Sequence, residues 1–91
     1  MARVRFSRRA LADLAAIHEW LSERSPAAAD RVVNAIEDSA AHLADNPLMG
    51  KREARGLGRF LIVSRYRYVL SYRVEGDRVE IVYVFHPSRE R

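Results

Sequence analysis

An α+β domain, with a helical hairpin on one face of a mostly antiparallel four-stranded sheet in the order β-α-α-β-β-β, is expected from three features of the 91-residue chain. Two early stretches carry apolar residues at helical spacing. The second half is almost continuous β-type sequence. Within it, Gly76-Asp77 separates two alternating runs and marks a two-residue hairpin turn.

Each element has a local cause. Arg3-Val4-Arg5-Phe6 alternates polar and apolar, as a short strand does, and Ser7 behind it can cap a helix. Ala10, Leu14, Ile17 and Leu21, with Leu11 beside them and Glu19 and Glu23 opposite, predict an amphipathic helix from Arg8 to about Arg24. Ser25-Pro26 supplies a cap and a first-turn proline for a second helix. Its stripe is Ala29, Val32, Val33, Ile36, Ala40 and Leu43, and it ends before Asn46-Pro47. Abundant alanines let two antiparallel helices approach closely, hence a helical hairpin.

Leu48 to Gly58, with Gly50, Gly56 and Gly58 among Lys51, Arg52 and Arg55, reads as a mobile basic loop without a phosphate-loop pattern. The β-type run from Arg59 to Val74 would stretch about 50 Å at ~3.3 Å per residue, too far for a domain with a radius of gyration of roughly 12 Å. It must fold back, and the bend is expected near Ser64-Arg65.

The Gly76-Asp77 turn sets a register. Glu75 faces Arg78, Arg73 faces Glu80, Tyr72 faces Ile81, Leu70 faces Tyr83 and Tyr68 faces Phe85, which places one continuous apolar face under the helices. On the uncovered face the same register pairs Ser71 with Val82, Val69 with Val84 and Arg67 with His86. His86 is then expected at the open end of the last strand, across from Arg67 and near Arg65. Cationic neighbours disfavour imidazolium, so a neutral imidazole there would accept a proton. Val69, Val82 and Val84, rimmed by Arg65, Arg67 and Arg73, form an expected interaction patch.

Composition narrows the function classes. With 48% hydrophobic and 31% charged residues, the chain describes one domain spanning residues 1–91. It has no cysteine, hence no disulfide framework or thiolate metal site. No apolar run approaches the roughly 20 residues needed to cross a bilayer, and MARVRF lacks the apolar stretch of a signal peptide, so a cytoplasmic protein is expected. Nothing in the sequence calls for a cofactor or a metal. The net charge of +4 is uneven: residues 1–50 carry −1 and residues 51–91 carry +5. All but one of the sixteen cations are arginine, which favours bidentate capture of carboxylate or phosphate on an acidic partner or polyanion.

Among other polar and aromatic residues, Trp20 is expected at the margin of the first helix's stripe, filling the edge of the core or anchoring a partner helix. His18 is expected to pack half-buried beside the same stripe. His42 is expected on the second helix's polar face near Asp38. Tyr66, Tyr68, Tyr72 and Tyr83 are expected to point at the helices.

The stretch RVRFSRRALADLAAIHEWLSERSPAAADRVVNAIEDSAAHLADNPLMGK, with Pro47 and Gly50 as a "P..G" loop, and the closing RYRYVLSYRVEGDRVEIVYVFHPSRER together resemble the RelE/ParE superfamily of bacterial type II toxins over nearly the whole chain. The resemblance implies that fold and a cognate antitoxin whose acidic, partly disordered C-terminal portion covers the toxin, with operator DNA contacted only through the antitoxin. Trp20, Val69, Val82, Val84 and Arg73 are the expected antitoxin contacts. The superfamily divides by target. Its RelE-like branch cleaves messenger RNA on the ribosome; its ParE-like branch blocks DNA gyrase. In the nuclease branch an arginine typically stands where this chain has Val69, and past His86 this chain has no tyrosine to act as an acid. The resemblance therefore favours a ParE-like gyrase inhibitor that contacts its target through His86, Arg89, Arg91, Arg65 and Arg67. The alternative is a ribonuclease with His86 as base and Arg65, Arg67 and Arg73 on the phosphate, and a third reading is an inactive partner that only assists its antitoxin.

Overall fold

The computed structural model describes residues 1–56, 58–63 and 65–88. The elements run β1 (Arg3–Phe6), α1 (Arg8–Ser22), α2 (Pro26–His42), β2 (Lys51–Arg52), β3 (Arg59–Val63), β4 (Tyr68–Glu75) and β5 (Arg78–Phe85). The strands form one sheet in the order β1-β5-β4-β3-β2, with β1 parallel to β5 and the other neighbours antiparallel. The fold is the expected two-layer α+β arrangement with one strand more. That strand, β2, lies inside the segment expected to be a mobile loop.

Both helices start where their caps require. The Ser7 hydroxyl accepts the Ala10 N–H at 3.0 Å and the Ser25 hydroxyl accepts the Ala28 N–H at 3.3 Å, each satisfying a first-turn donor that has no intrahelical partner. From α1, Ala10 and Leu14 are buried, and from α2, Ala29, Val32, Ile36 and Ala40. All of these but Ala29 close over Leu70, Tyr72, Val79, Ile81 and Val84 of the sheet. No helix among the described residues is long and apolar enough to cross a membrane.

The segment before β2 is pinned from two sides. The buried Tyr72 hydroxyl donates to the Pro47 carbonyl at 2.8 Å and accepts the Gly50 N–H at 2.9 Å. The Arg59 guanidinium donates to the carbonyls of Leu48 and Gly50. A Cβ at Gly50 would lie 2.6 Å from both the Phe60 carbonyl oxygen and the Tyr72 hydroxyl, so only glycine permits this approach. These bonds explain why Pro47 and Gly50 occur together, and they replace the expected loop by an anchored turn leading into a strand.

The β4/β5 register departs from expectation halfway along. Glu75/Arg78, Arg73/Glu80 and Tyr72/Ile81 pair as the turn dictates, with Gly76 at φ 59°. The register then shifts between Ser71 and Tyr72, so that Ser71 faces Tyr83, Leu70 faces Val84 and Val69 faces Phe85. Val82 is the extra residue of a β-bulge. One inserted residue reverses the alternation of everything beyond it. Val84 is therefore buried under the helices, and Tyr83 and Phe85 lie with Val69 and Ser71 on the other face, which corrects the expected placement of Val84 and Tyr83. The bend between β3 and β4 falls at the expected place and extends to Arg67. Arg65–Arg67 form the turn, Arg67 has φ 65°, and β4 begins only at Tyr68. Ser64, the other half of the expected bend, lies outside the described residues.

Candidate functional site

On the uncovered face, the register lines up Phe60 and Ile62 of β3, Val69, Ser71 and Arg73 of β4, and Glu80, Tyr83 and Phe85 of β5. The rings of Tyr83 and Phe85 are 5.6 Å apart. The apolar patch expected from Val69, Val82 and Val84 thus exists in altered form: Val69 lies on this face but is buried between its cross-strand neighbours Ile62 and Phe85, Val82 is the half-buried bulge residue, and Phe85 stands in the place expected for Val84. Phe60 and Ile62 also belong to this face, as their alternation with Leu61 and Val63 in the sequence implies.

The hairpin end of this face is ionic. Arg5 and Arg73 each approach the Glu80 carboxylate at 3.4 Å, one from each neighbouring strand. Arg73 was expected opposite Glu80 and is found there. The second guanidinium, Arg5, comes from the parallel strand β1, whose pairing with β5 the turn chemistry did not encode.

At the far end, β1 has stopped and α1 lies along the exposed edge of β5. The Ser7 N–H donates to the Ile81 carbonyl at 2.9 Å, and the Ser7 hydroxyl donates to the Val82 carbonyl at 2.6 Å. Nearly two turns on, the Asp13 carboxylate accepts the Val84 N–H at 2.9 Å and holds Arg9 at the same distance. Arg9 in turn reaches over the Tyr83 ring, 5.4 Å from its centre. Side chains of a helix thus satisfy a strand edge.

His86 does not stand across from Arg67 on the uncovered face. With Val69 opposite Phe85, the next residue of each strand meets instead: the rings of Tyr68 and His86 contact edge to face at 5.0 Å. The His86 Nδ1 accepts the Ser88 N–H at 3.2 Å. The imidazole lines an open cleft of about 440 Å³ between α1 and the end of β5, together with Asp13, Ile17, Trp20, Tyr68 and Val84. Among the described residues, the side chain that meets it is thus Tyr68 and not the Arg67 expected there. Trp20, expected at the core margin, is 38% exposed and carries the Arg24 guanidinium 3.7 Å over its ring. His86, Trp20 and Val84 therefore come together, whereas Arg73 stands apart at the hairpin end. Arg65 and Arg67 are exposed in the turn that precedes Tyr68, at the same end of the sheet as His86. Arg89 and Arg91 lie outside the described residues.

The remaining histidine and tyrosine expectations divide. His18 bridges the helices, with Nε2 2.8 Å from Asp30 and Nδ1 3.3 Å from the Ser22 hydroxyl. Tyr68 and Tyr72 are core residues, with Tyr66 packed against them. Among the described residues, no three or more His, Asp or Glu side chains are grouped to hold a metal ion.

The family model "ParE toxin of type II toxin-antitoxin system, parDE" matches residues 4–91. Two curated proteins of Caulobacter vibrioides are similar over essentially their full length: "Toxin RelE3", 38% identical across 100% of both chains, and "Toxin RelE2", 36% identical across 98% of this chain and 99% of the relative. "Putative toxin Y4kP" of Sinorhizobium fredii is 33% identical over 97% of this chain and 91% of its own. Among solved structures, a chain from "Chromosomal ParDE TA system from P. aeruginosa" superposes with a TM-score of 0.82 at 25% identity, covering 94% of this chain and 96% of that one. A sheet capped by one helical hairpin, the pinned Pro47–Gly50 turn and these full-length similarities lead to one conclusion: the chain is a toxin of the RelE/ParE superfamily of type II toxin–antitoxin systems.

Proposed function

We propose that this toxin arrests growth by binding DNA gyrase, without chemistry of its own, and is neutralised by a cognate antitoxin. The separation of its ionic groups along β5 supports this reading. Arg73 is engaged with Glu80, and His86 follows six residues later, about 20 Å away at ~3.3 Å per residue. Cleavage of RNA through the 2′-hydroxyl needs a base, an acid and cations aimed at one phosphate. A phosphate within reach of His86 is beyond Arg73, and Val69 offers no charge between them.

In this reading His86, Arg65 and Arg67 contact the target together with the terminal Arg89 and Arg91. The antitoxin covers Trp20, Val82 and Arg73; Val69 and Val84, both buried, contribute only through packing.

The ribonuclease reading keeps two specific supports. Two relatives carry the RelE name, and Arg65 and Arg67 lie at the His86 end of the sheet. Purified toxin is to be assayed for inhibition of gyrase supercoiling and for cutting of messenger RNA on translating ribosomes. Inhibited supercoiling with intact message is expected; unaffected supercoiling at excess toxin sinks the proposal.

A further inference from the structure

We infer that the arginines at the hairpin end of the uncovered face form a site for the phosphodiester backbone of duplex DNA, which the toxin contacts beside its protein target. The inference rests on the gyrase reading proposed above for the source of that DNA, and it adds a contact that the reading does not contain.

The register builds the site. Arg3 stands directly opposite Arg78 where β1 runs parallel to β5, and Arg5 stands opposite Glu80, which Arg73 meets from β4. The Arg3 N–H donates to the Asp77 carbonyl at 2.7 Å, so the turn itself holds the start of β1 in this place. Residues two apart on a strand share a face, and these four arginines therefore stand together on the side without helices. Arg5, Arg73, Glu75, Arg78 and Glu80 line a hollow of about 210 Å³ there.

The carboxylates nearby leave the guanidinium groups with donors to spare. Like charges directly opposite one another destabilise a sheet, yet among the described residues neither Arg3 nor Arg78 has an ion-pair partner, although Glu75 is the cross-strand neighbour of Arg78. Arg5 and Arg73 share the one Glu80 carboxylate, each at 3.4 Å, longer than the roughly 2.7–2.9 Å of a strong charge-assisted bond. Their side chains are 73% and 54% exposed. With Asp77 of the turn included, four guanidinium groups face three carboxylates, so the site offers directed forks rather than a strong local field. The field comes from the whole chain, whose isoelectric point is about 10.1.

These features favour phosphate over a protein surface. The one hydrophobic residue at the hollow, Val79, is buried. Protein interfaces are anchored by side chains in an apolar centre, whereas phosphate contacts need only donors, and the guanidinium fork matches phosphate oxygens in pairs. Position agrees with chemistry. The hairpin end is the opposite end of the sheet from His86, Arg65 and Arg67, so a toxin held on gyrase through those residues keeps these arginines available for DNA.

Binding of the toxin to gyrase is to be titrated with and without a linear duplex, over a range of salt concentrations. For the wild type, the duplex is expected to tighten binding about tenfold, and this gain should shrink as salt rises, as contacts to phosphate do. The double variant Arg3→Gln/Arg78→Gln, which changes two exposed side chains, is expected to lose the gain while binding DNA-free gyrase within about twofold of wild type. Wild-type toxin that binds equally with and without duplex overturns the site alone, and that measurement decides even if the double variant does not fold. A folded double variant that keeps the gain overturns it too. Weakened binding of the double variant to DNA-free gyrase would replace DNA by carboxylates of gyrase as the occupant. Toxin that binds gyrase in neither state removes the gyrase reading itself, and this inference with it.

Discussion

The Ser7 hydroxyl donates to the Val82 carbonyl at 2.6 Å while accepting the Ala10 N–H at 3.0 Å, so one side chain both starts α1 and fixes the bulge in β5. The bulge decides which way Val84 and His86 face. A helix cap and the geometry of the candidate site are therefore coupled through a single oxygen.

Ser7→Ala removes both bonds. A lost N-cap costs about 1 kcal/mol, and the Val82 carbonyl loses its partner as well, so destabilisation of about 1–2 kcal/mol is expected. Urea unfolding checks it. Ser7→Thr, which keeps the hydroxyl, should recover most of the loss.

Tyr72→Phe leaves the Gly50 N–H and the Pro47 carbonyl without their buried partner, for an expected cost of about 1–3 kcal/mol. Gly50→Ala attacks the same contact by steric overlap with Phe60 and Tyr72. Because the two sites share one hydroxyl, the double variant should lose less than the two single losses added together. Additive losses in a double-mutant cycle would mean that Tyr72 and Gly50 act independently.

His86→Phe separates binding from chemistry. The phenyl ring can keep the edge contact with Tyr68 but cannot move a proton. Growth arrest on induction is expected to weaken only a few-fold, since the ring contact is kept; complete loss in a folded variant that still binds gyrase and the antitoxin would indicate catalysis by the imidazole.

Truncation after His86 removes Pro87 to Arg91, and with it two of the cations assigned to the target. Toxicity is expected to vanish while the antitoxin still binds. Retained arrest would exclude the tail from target contact, and lost antitoxin binding would show that the two partners share it.

Much of this molecule is legible one element at a time. The period of 3.6 in Ala10, Leu14, Ile17 and Leu21, the caps at Ser7 and Ser25, and the Gly76-Asp77 turn are short-range patterns. Each acts within a few residues, so the helices, the hairpin and the cross-strand pairs from Glu75/Arg78 to Tyr72/Ile81 follow from the sequence. Full-length similarity to known toxins follows from it too.

What the linear pattern could not specify is where that hairpin register breaks. Val82, Tyr83, Val84 and Phe85 are all hydrophobic, so the sequence offers no preference for one alternation over the other. The choice was made by groups more than 70 residues away, Ser7 on the Val82 carbonyl and Asp13 on the Val84 N–H. Tyr72 likewise turns an apparent loop into a strand by bonding to residues 22 and 25 positions earlier. Local propensity sets the elements because its interactions close within a turn; the site is set by hydrogen bonds that exist only once the helices have packed on the sheet.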